Sequence, residues 1–208
     1  MRAVLLTLAV AVTLAAAPRI GSADAGRIPA ASRIMSDRSN ILLPKNVPWT
    51  WVNNDYFTAG RDAAVSDILW KVEDAHLGPK NNKRGFWPWY LRGQVEIAVG
   101  DLRYALWVFP NHPRALHMLE VCAEDLHLPS LPIAYYEKAM RYFPRSAYTQ
   151  AQYGRYLVHV GEVRVGIERL EEAVRLDPDL VQARAWLSEA NGRLGRFQRP
   201  GQPALRIK

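Results

Sequence analysis

Across residues 146–176 apolar side chains recur every three or four positions: Tyr153, Tyr156, Leu157 and Val160, then Val163, Ile167, Leu170 and Val174. That spacing puts each set on one stripe of a helix with 3.6 residues per turn. Gly161 between the sets turns the chain, so the pattern predicts two antiparallel helices over 146–159 and 162–176. Asp177-Pro178 stops the second, because proline lacks an amide donor and restricts the residue before it. Residues 94–109 (Ala98, Leu102, Ala105, then Pro110) read as another such second helix, and 181–194 as a lone first one. The partner of 94–109, at 86–93, is cut short by Pro88. The amphipathic stretch 61–75 (Ala64, Ile68, Leu69, Val72) is a helix that could take the missing place, and 78–85 is a polar loop.

The helices repeat. Pro110, Pro144 and Pro178 stand 34 residues apart, as do Ala105, Ala139 and Ala173. The same interval joins Leu102, Tyr136 and Leu170, then Leu119, Tyr153 and Leu187, and finally Gly161 and Gly195. A shared period of this length marks units that bury their apolar faces by stacking on one another. Gly154 and Ala173 are small where paired helices must approach closely, and Tyr153 and Leu170 fill the space between them. The fold class expected is all-α.

In 147–178, Tyr153-Gly154, Leu157, Gly161, Leu170, Ala173 and Pro178 stand where the tetratricopeptide repeat places its large-small pair, packing residue, turn glycine, large residue, small residue and terminal proline. The chain resembles that family over residues 94–196. Gln150 replaces the family's first-helix tryptophan, and Gly166 is the small residue opening the second helix. A second unit, 113–144, keeps Leu119, Tyr136, Ala139 and Pro144. It has His127 for the turn glycine and inserts Leu128-Pro129-Ser130-Leu131-Pro132, so its turn is expected to be stiffened and distorted. The resemblance implies an α-solenoid of antiparallel helix pairs, about three repeats with an irregular N-terminal cap and a C-terminal capping helix. Residues 67–76 (DILWKVEDAH), Tyr104-Ala105-Leu106 and 109–116 are also similar to exported bacterial repeat proteins of unassigned function, which supports export and supplies no activity.

Domain organisation follows. Residues 1–25 read as a signal peptide: a basic start at Arg2, an apolar run over 3–17, and Ala23-Asp24-Ala25 for cleavage after Ala25. Cleavage after Ala17 is the second choice, since Pro18 follows it. As an uncleaved anchor the run of about 15 residues is short against the roughly 20 that cross a bilayer. No cysteine follows the run, which excludes a lipoprotein anchor, and no later segment is long and apolar enough to span. Residues 26–58, with Pro29, Pro44, Pro48 and Trp49-Thr50-Trp51, form an extended arm, 59–196 the helical domain and 197–208 a flexible tail. The expected location is periplasmic or secreted.

The net charge of +7 changes little in this picture. Without residues 1–25 it is +6, spread as +2 over 26–58, +1 over 59–99, +1 over 100–199 and +2 over the last nine residues. Acids and bases interleave, as in Glu162, Arg164, Glu168, Arg169, Glu171, Glu172 and Arg175, which describes a solvated helix face. A nucleic-acid binder would gather its cations on one face, so no nucleic acid is expected. Cys122, the one cysteine, lies in an apolar helical stretch and reads as a small core residue.

In such an array the first helix of each unit lines a concave wall that accepts an extended peptide or a helix. The pattern places Arg114, His117, Val121, Glu124, Tyr148, Ala151, Arg155, His159, Gln182, Glu189 and Arg193 there. Arg155 and His159, one turn apart beside Tyr148, could hold a carboxylate or an acidic peptide, with arginine giving a forked contact. Catalytic signals are weak. His117, Glu120 and Glu124 share a helix face but lack any metal-binding signature, and neither a nucleophile elbow nor a phosphate-binding glycine loop is present. The expectation is a non-catalytic scaffold or assembly factor that binds another protein, in an envelope or secretion complex, with no cofactor or metal. The alternative is a module that binds envelope surface or glycan through the basic, tryptophan-rich arm.

Overall fold

The computed structural model describes residues 51–197, and within them the chain is all-helical. The expected leader, residues 26–50 of the arm and the tail from 198 lie outside the described residues. A 3-10 turn, Tyr56–Arg61, leads into α1, Ala63–Val72, which continues as a π-helical turn, Glu73–Leu77. Then follow α2 (Phe86–Tyr90), α3 (Val95–Val108), α4 (Pro113–Asp125), α5 (Leu131–Tyr142), α6 (Ala147–His159), α7 (Val163–Leu176) and α8 (Val181–Phe197). Among the described residues no helix is long and apolar enough to cross a membrane.

The 34-residue period is written into the backbone as well as the sequence. Helices α3, α5 and α7 end with the same bond, from Phe109, Phe143 and Asp177 N–H to the carbonyls of Ala105, Ala139 and Ala173. The turns after α2, α4 and α6 each carry one residue at positive φ, namely Gly93 (74°), His127 (54°) and Gly161 (99°). In each the following N–H, of Gln94, Leu128 and Glu162, reaches back to the carbonyl of Trp89, Ala123 and Leu157. This is the closure that satisfies orphan carbonyls at a helix end. The distortion expected around His127 is therefore not found: the histidine adopts the left-handed conformation itself, and the inserted prolines fall where they cost nothing, with Pro132 in the first turn of α5. Gly195 lies inside α8 and makes no turn, so that member of the period has no structural counterpart.

The periodic large and alanine positions of the second helices are buried. Leu102, Tyr136 and Leu170 are fully buried, as are Ala105, Ala139 and Ala173, and the Tyr136 and Tyr153 rings stack at 5.0 Å. Helices α6 and α7 run antiparallel in close contact. A Cβ on Gly154 would lie 2.7 Å from the Gly166 carbonyl, and one on Gly166 would lie 2.6 Å from the Val158 side chain. The small residues are thus required by the approach of the two backbones. Cys122 is fully buried, and burial pushes its thiol up to about 12.

The N-terminal end departs from the expected arrangement. The place beside α3 is taken by short α2 and by the π-helical end of α1 rather than by α1 along its length. Pro88 can remain in α2 because the first turn of a helix leaves its N–H groups without intrahelical partners. The boundary expected at 58/59 falls inside the 3-10 turn. Residues 53–56 are tied to the repeats: Asn53 and Asn54 N–H donate to the carbonyls of Trp107 and Val108. Buried Asn111 accepts from Tyr56 N–H at 2.9 Å and donates to the Asp55 carboxylate at 2.6 Å.

Candidate functional site

Helices α4 and α6 are the first helices of their pairs, α8 packs on α6 after them, and the facing residues of the three build one wall. At its centre is a buried carboxylate, Glu120, with 4% of its surface exposed. Its Oε1 accepts the Tyr136 hydroxyl at 2.6 Å, while Oε2 pairs with the Arg155 guanidinium and lies 3.1 Å from His117 Nδ1. Burial, followed by the neighbouring Glu120 charge, raises the Tyr136 hydroxyl well above the ordinary tyrosine range. The hydrogen bond to Glu120 raises the His117 imidazole. The far side of Arg155 lies 5.5 Å over the indole of Trp186, so the guanidinium is held between a carboxylate and an aromatic face.

Beyond Arg155 the wall opens into a hollow of about 260 Å³ lined by Arg155, Val158 and His159 of α6 and Trp186, Glu189, Ala190 and Arg193 of α8. Two polar pairs stand on its rim, His159 Nε2 with the Glu124 carboxylate at 2.9 Å and the Arg193–Glu189 ion pair at 2.9 Å. Aromatic rings continue the wall in the other direction: Trp186 meets Tyr148 at 6.4 Å, and Tyr148 meets Phe57 at 5.7 Å.

Of the residues expected on the wall, Arg155, His159, Glu189 and Arg193 come together around the hollow. Glu124 joins them through His159, and Tyr148 through Trp186. Arg114 does not: its guanidinium donates to the carbonyls of Leu77 and Gly78, at 2.9 and 2.6 Å, and fastens the end of the π-helical turn. His117 faces Glu120 rather than the hollow. Ala151 is fully buried between helices, Val121 is half-buried, and Gln182 is exposed on the first turn of α8.

The carboxylate-binding role expected of Arg155 and His159 meets a physical obstacle, because each already has a carboxylate from α4. Neither Phe57 nor Trp186 was expected on the wall. Phe57 arrives through the fold of the N-terminal segment, which no helical periodicity could place. Trp186 had a signal: it stands 34 residues beyond Gln152, a buried first-helix position.

Glu120 and Glu124, the acids weighed as metal ligands with His117, face Tyr136 with Arg155 and His159 respectively. Among the described residues no group of three or more His, Cys, Asp or Glu could hold a metal ion. The hollow is also smaller than the roughly 300–1,000 Å³ of a typical small-molecule site. No model of a known protein family matches this chain, and no curated protein matches it.

Proposed function

We propose that this chain is a non-catalytic protein-binding module of the tetratricopeptide-repeat type, exported to the bacterial envelope, whose concave wall grips a segment of another polypeptide. The observation that carries the reading is the division of labour among the charges of the wall. Glu120 is buried and holds Arg155, which is 31% exposed at the edge of the hollow, as part of the scaffold. His159–Glu124 and Arg193–Glu189 are exposed, and pairs of that kind contribute only about 0–1 kcal/mol. They can exchange their internal partners for groups on a bound peptide at little cost.

Between them Trp186, Val158 and Ala190 offer an apolar floor for an anchoring side chain. The peptide favoured is extended, with one apolar anchor flanked by charges of either sign. A purely acidic peptide is disfavoured, because the wall's cations are matched by its own acids.

Affinity capture of the tagged chain from its native envelope fraction tests this. A His159→Ala, Arg193→Ala variant alters two rim groups, and Trp186→Leu removes the indole while keeping apolar bulk. Loss of one stoichiometric protein from both captures supports the groove. Capture that is unchanged in both variants refutes it and moves attention to the arm.

A further inference from the structure

The net charge of +1 over residues 59–99 hides a division. Residues 59–77 hold Arg61, Asp62, Asp67, Lys71, Glu73 and Asp74, whereas 78–95 hold Lys80, Lys83, Arg84 and Arg92 with no acid at all. Among the described residues none of these four cations is paired with a carboxylate. Lys80 and Arg92 lie instead over indole rings, Trp87 at 5.3 Å and Trp89 at 5.6 Å.

The same short stretch exposes large apolar side chains that its neighbours leave uncovered. Leu91 is 64% exposed, Ile97 51% and Trp89 37%. They are close in space because the turn after α2 folds back, with Gln94 N–H bonded to the Trp89 carbonyl and Ile97 N–H to that of Gln94. Two acids stand beside them: Glu96 next to Ile97 in the chain, and Asp125, whose carboxylate accepts the hydroxyl of Tyr90 at 2.8 Å.

This segment is held firmly in place. The Trp87 indole N–H and the Arg114 guanidinium both donate to the carbonyls of Leu77 and Gly78. The Asn82 amide donates to the Asp74 carbonyl at 3.0 Å. Gly85 sits at φ +73° with the carbonyls of Ala75 and His76 so near that a Cβ would lie within 2.7 Å of both oxygens. Such anchoring presents cations and apolar groups together in one fixed arrangement.

We propose that this edge, residues 78–97, docks the protein on an anionic lipid surface, with Trp89, Leu91 and Ile97 entering the interface and Lys80, Lys83, Arg84 and Arg92 meeting the headgroups. Interfacial attachment combines buried apolar area with attraction between basic groups and anionic lipid, and tryptophan favours the boundary because one end is apolar and the other polar. A nucleic acid would use the cations and indoles but has no use for exposed leucine and isoleucine, which bury only against an apolar partner. None of these residues lines the hollow between α6 and α8, so both sites can be engaged at once.

Flotation of the full chain with phosphatidylcholine vesicles, with and without phosphatidylglycerol, tests the proposal. Because the leader run is itself apolar, the readout is the difference between variants that share it. The expected result is retention on the phosphatidylglycerol vesicles that weakens with salt. Retention should fall by about tenfold or more in Lys83→Glu, Arg84→Glu, and comparably in Leu91→Ser, Ile97→Ser. All four changed side chains are exposed, and circular dichroism checks that the fold is kept. Equal binding to both vesicle types, or binding indifferent to the leucine and isoleucine changes, overturns it. So does displacement from vesicles by single-stranded DNA with unchanged binding of that DNA by the Leu91→Ser, Ile97→Ser variant, which would assign the edge to nucleic acid.

Discussion

The Tyr136 hydroxyl donates to Glu120 within one helix pair, and the same carboxylate binds Arg155 of the next. One buried carboxylate therefore bolts two units together. Removing it strands the tyrosine hydroxyl in a fully buried position and leaves the arginine without its charge partner. Breaking a buried pair by deleting one member is costly because the other is left uncompensated. Arg155 retains 31% side-chain exposure, which moderates the penalty. Glu120→Ala is expected to lower stability by about 3 kcal/mol in urea unfolding. Glu120→Gln should cost less, since its amide oxygen still accepts from Tyr136.

His127 and Gly161 occupy equivalent turns, and only one has the residue that the backbone prefers. A side chain in the left-handed region costs roughly 1–2 kcal/mol relative to glycine, partly offset by the greater freedom of glycine in the unfolded chain. His127→Gly is expected to raise stability by about 0.5–1 kcal/mol, and Gly161→Ala to lower it by about 1 kcal/mol. Opposite shifts of the urea midpoint at constant slope would check both. Equal signs would mean that the two turns are not equivalent.

These two residues also show how far the sequence could be read. Apolar spacing and the 34-residue period located the helices because burial imposes both, and Leu102, Tyr136 and Leu170 are all buried as their register requires. The period also exposed His127 as a substitution in a glycine position. It could not say whether the turn would deform or the histidine would accept the strain, since that depends on competition between local backbone energy and packing.

Site residues were legible as faces but not as pairings. Arg155 and His159 were on the expected wall, yet the acids that meet them belong to another helix at a distance that no local rule gives. Arg114 shared their register and was claimed by the carbonyls of an irregular turn, a feature with no periodic signature. Phe57 reached the wall from a segment that reads as an arm.

Lys138 provides a pH signature. Its ammonium is partly buried, donates to the Leu106 carbonyl at 3.3 Å and lies 5.2 Å over the Trp107 ring. Burial, followed by the charge of Arg141, depresses it to about 8 from 10.5. A depressed folded value means that the folded state holds the proton less tightly than the unfolded one. Stability should therefore rise with pH between about 8 and 10.5 and be lost as pH falls through 8. The buried tyrosines act oppositely above pH 10, where the unfolded chain ionises and the folded one resists. Comparison with Lys138→Met isolates the lysine: the variant should be more stable at pH 7, on the order of 1 kcal/mol, with the advantage shrinking by pH 10. Parallel stability curves for the two proteins would rule this out.

Asn111 controls whether the wall keeps its outermost ring. The residue is fully buried, and its amide is the one group that both accepts from Tyr56 N–H and donates to Asp55. Asp55 in turn caps the 3-10 turn through Phe57 N–H at 3.0 Å. Few apolar groups of this segment are buried, Ala59 being the exception, so polar anchoring carries most of its order. Asn111→Ala would remove both bonds and leave the carboxylate and the amide to water, while the packing of α4 to α8 stays intact. The expected result is local opening: faster amide exchange and protease cleavage confined to residues 53–62, with a loss of global stability of about 1–2 kcal/mol. Phe57 would then leave Tyr148, and a peptide that contacts the full aromatic wall should bind the variant more weakly even though the hollow beside Trp186 is untouched. Unchanged exchange over 53–62 would mean that the backbone bonds to Trp107 and Val108 suffice to hold the segment.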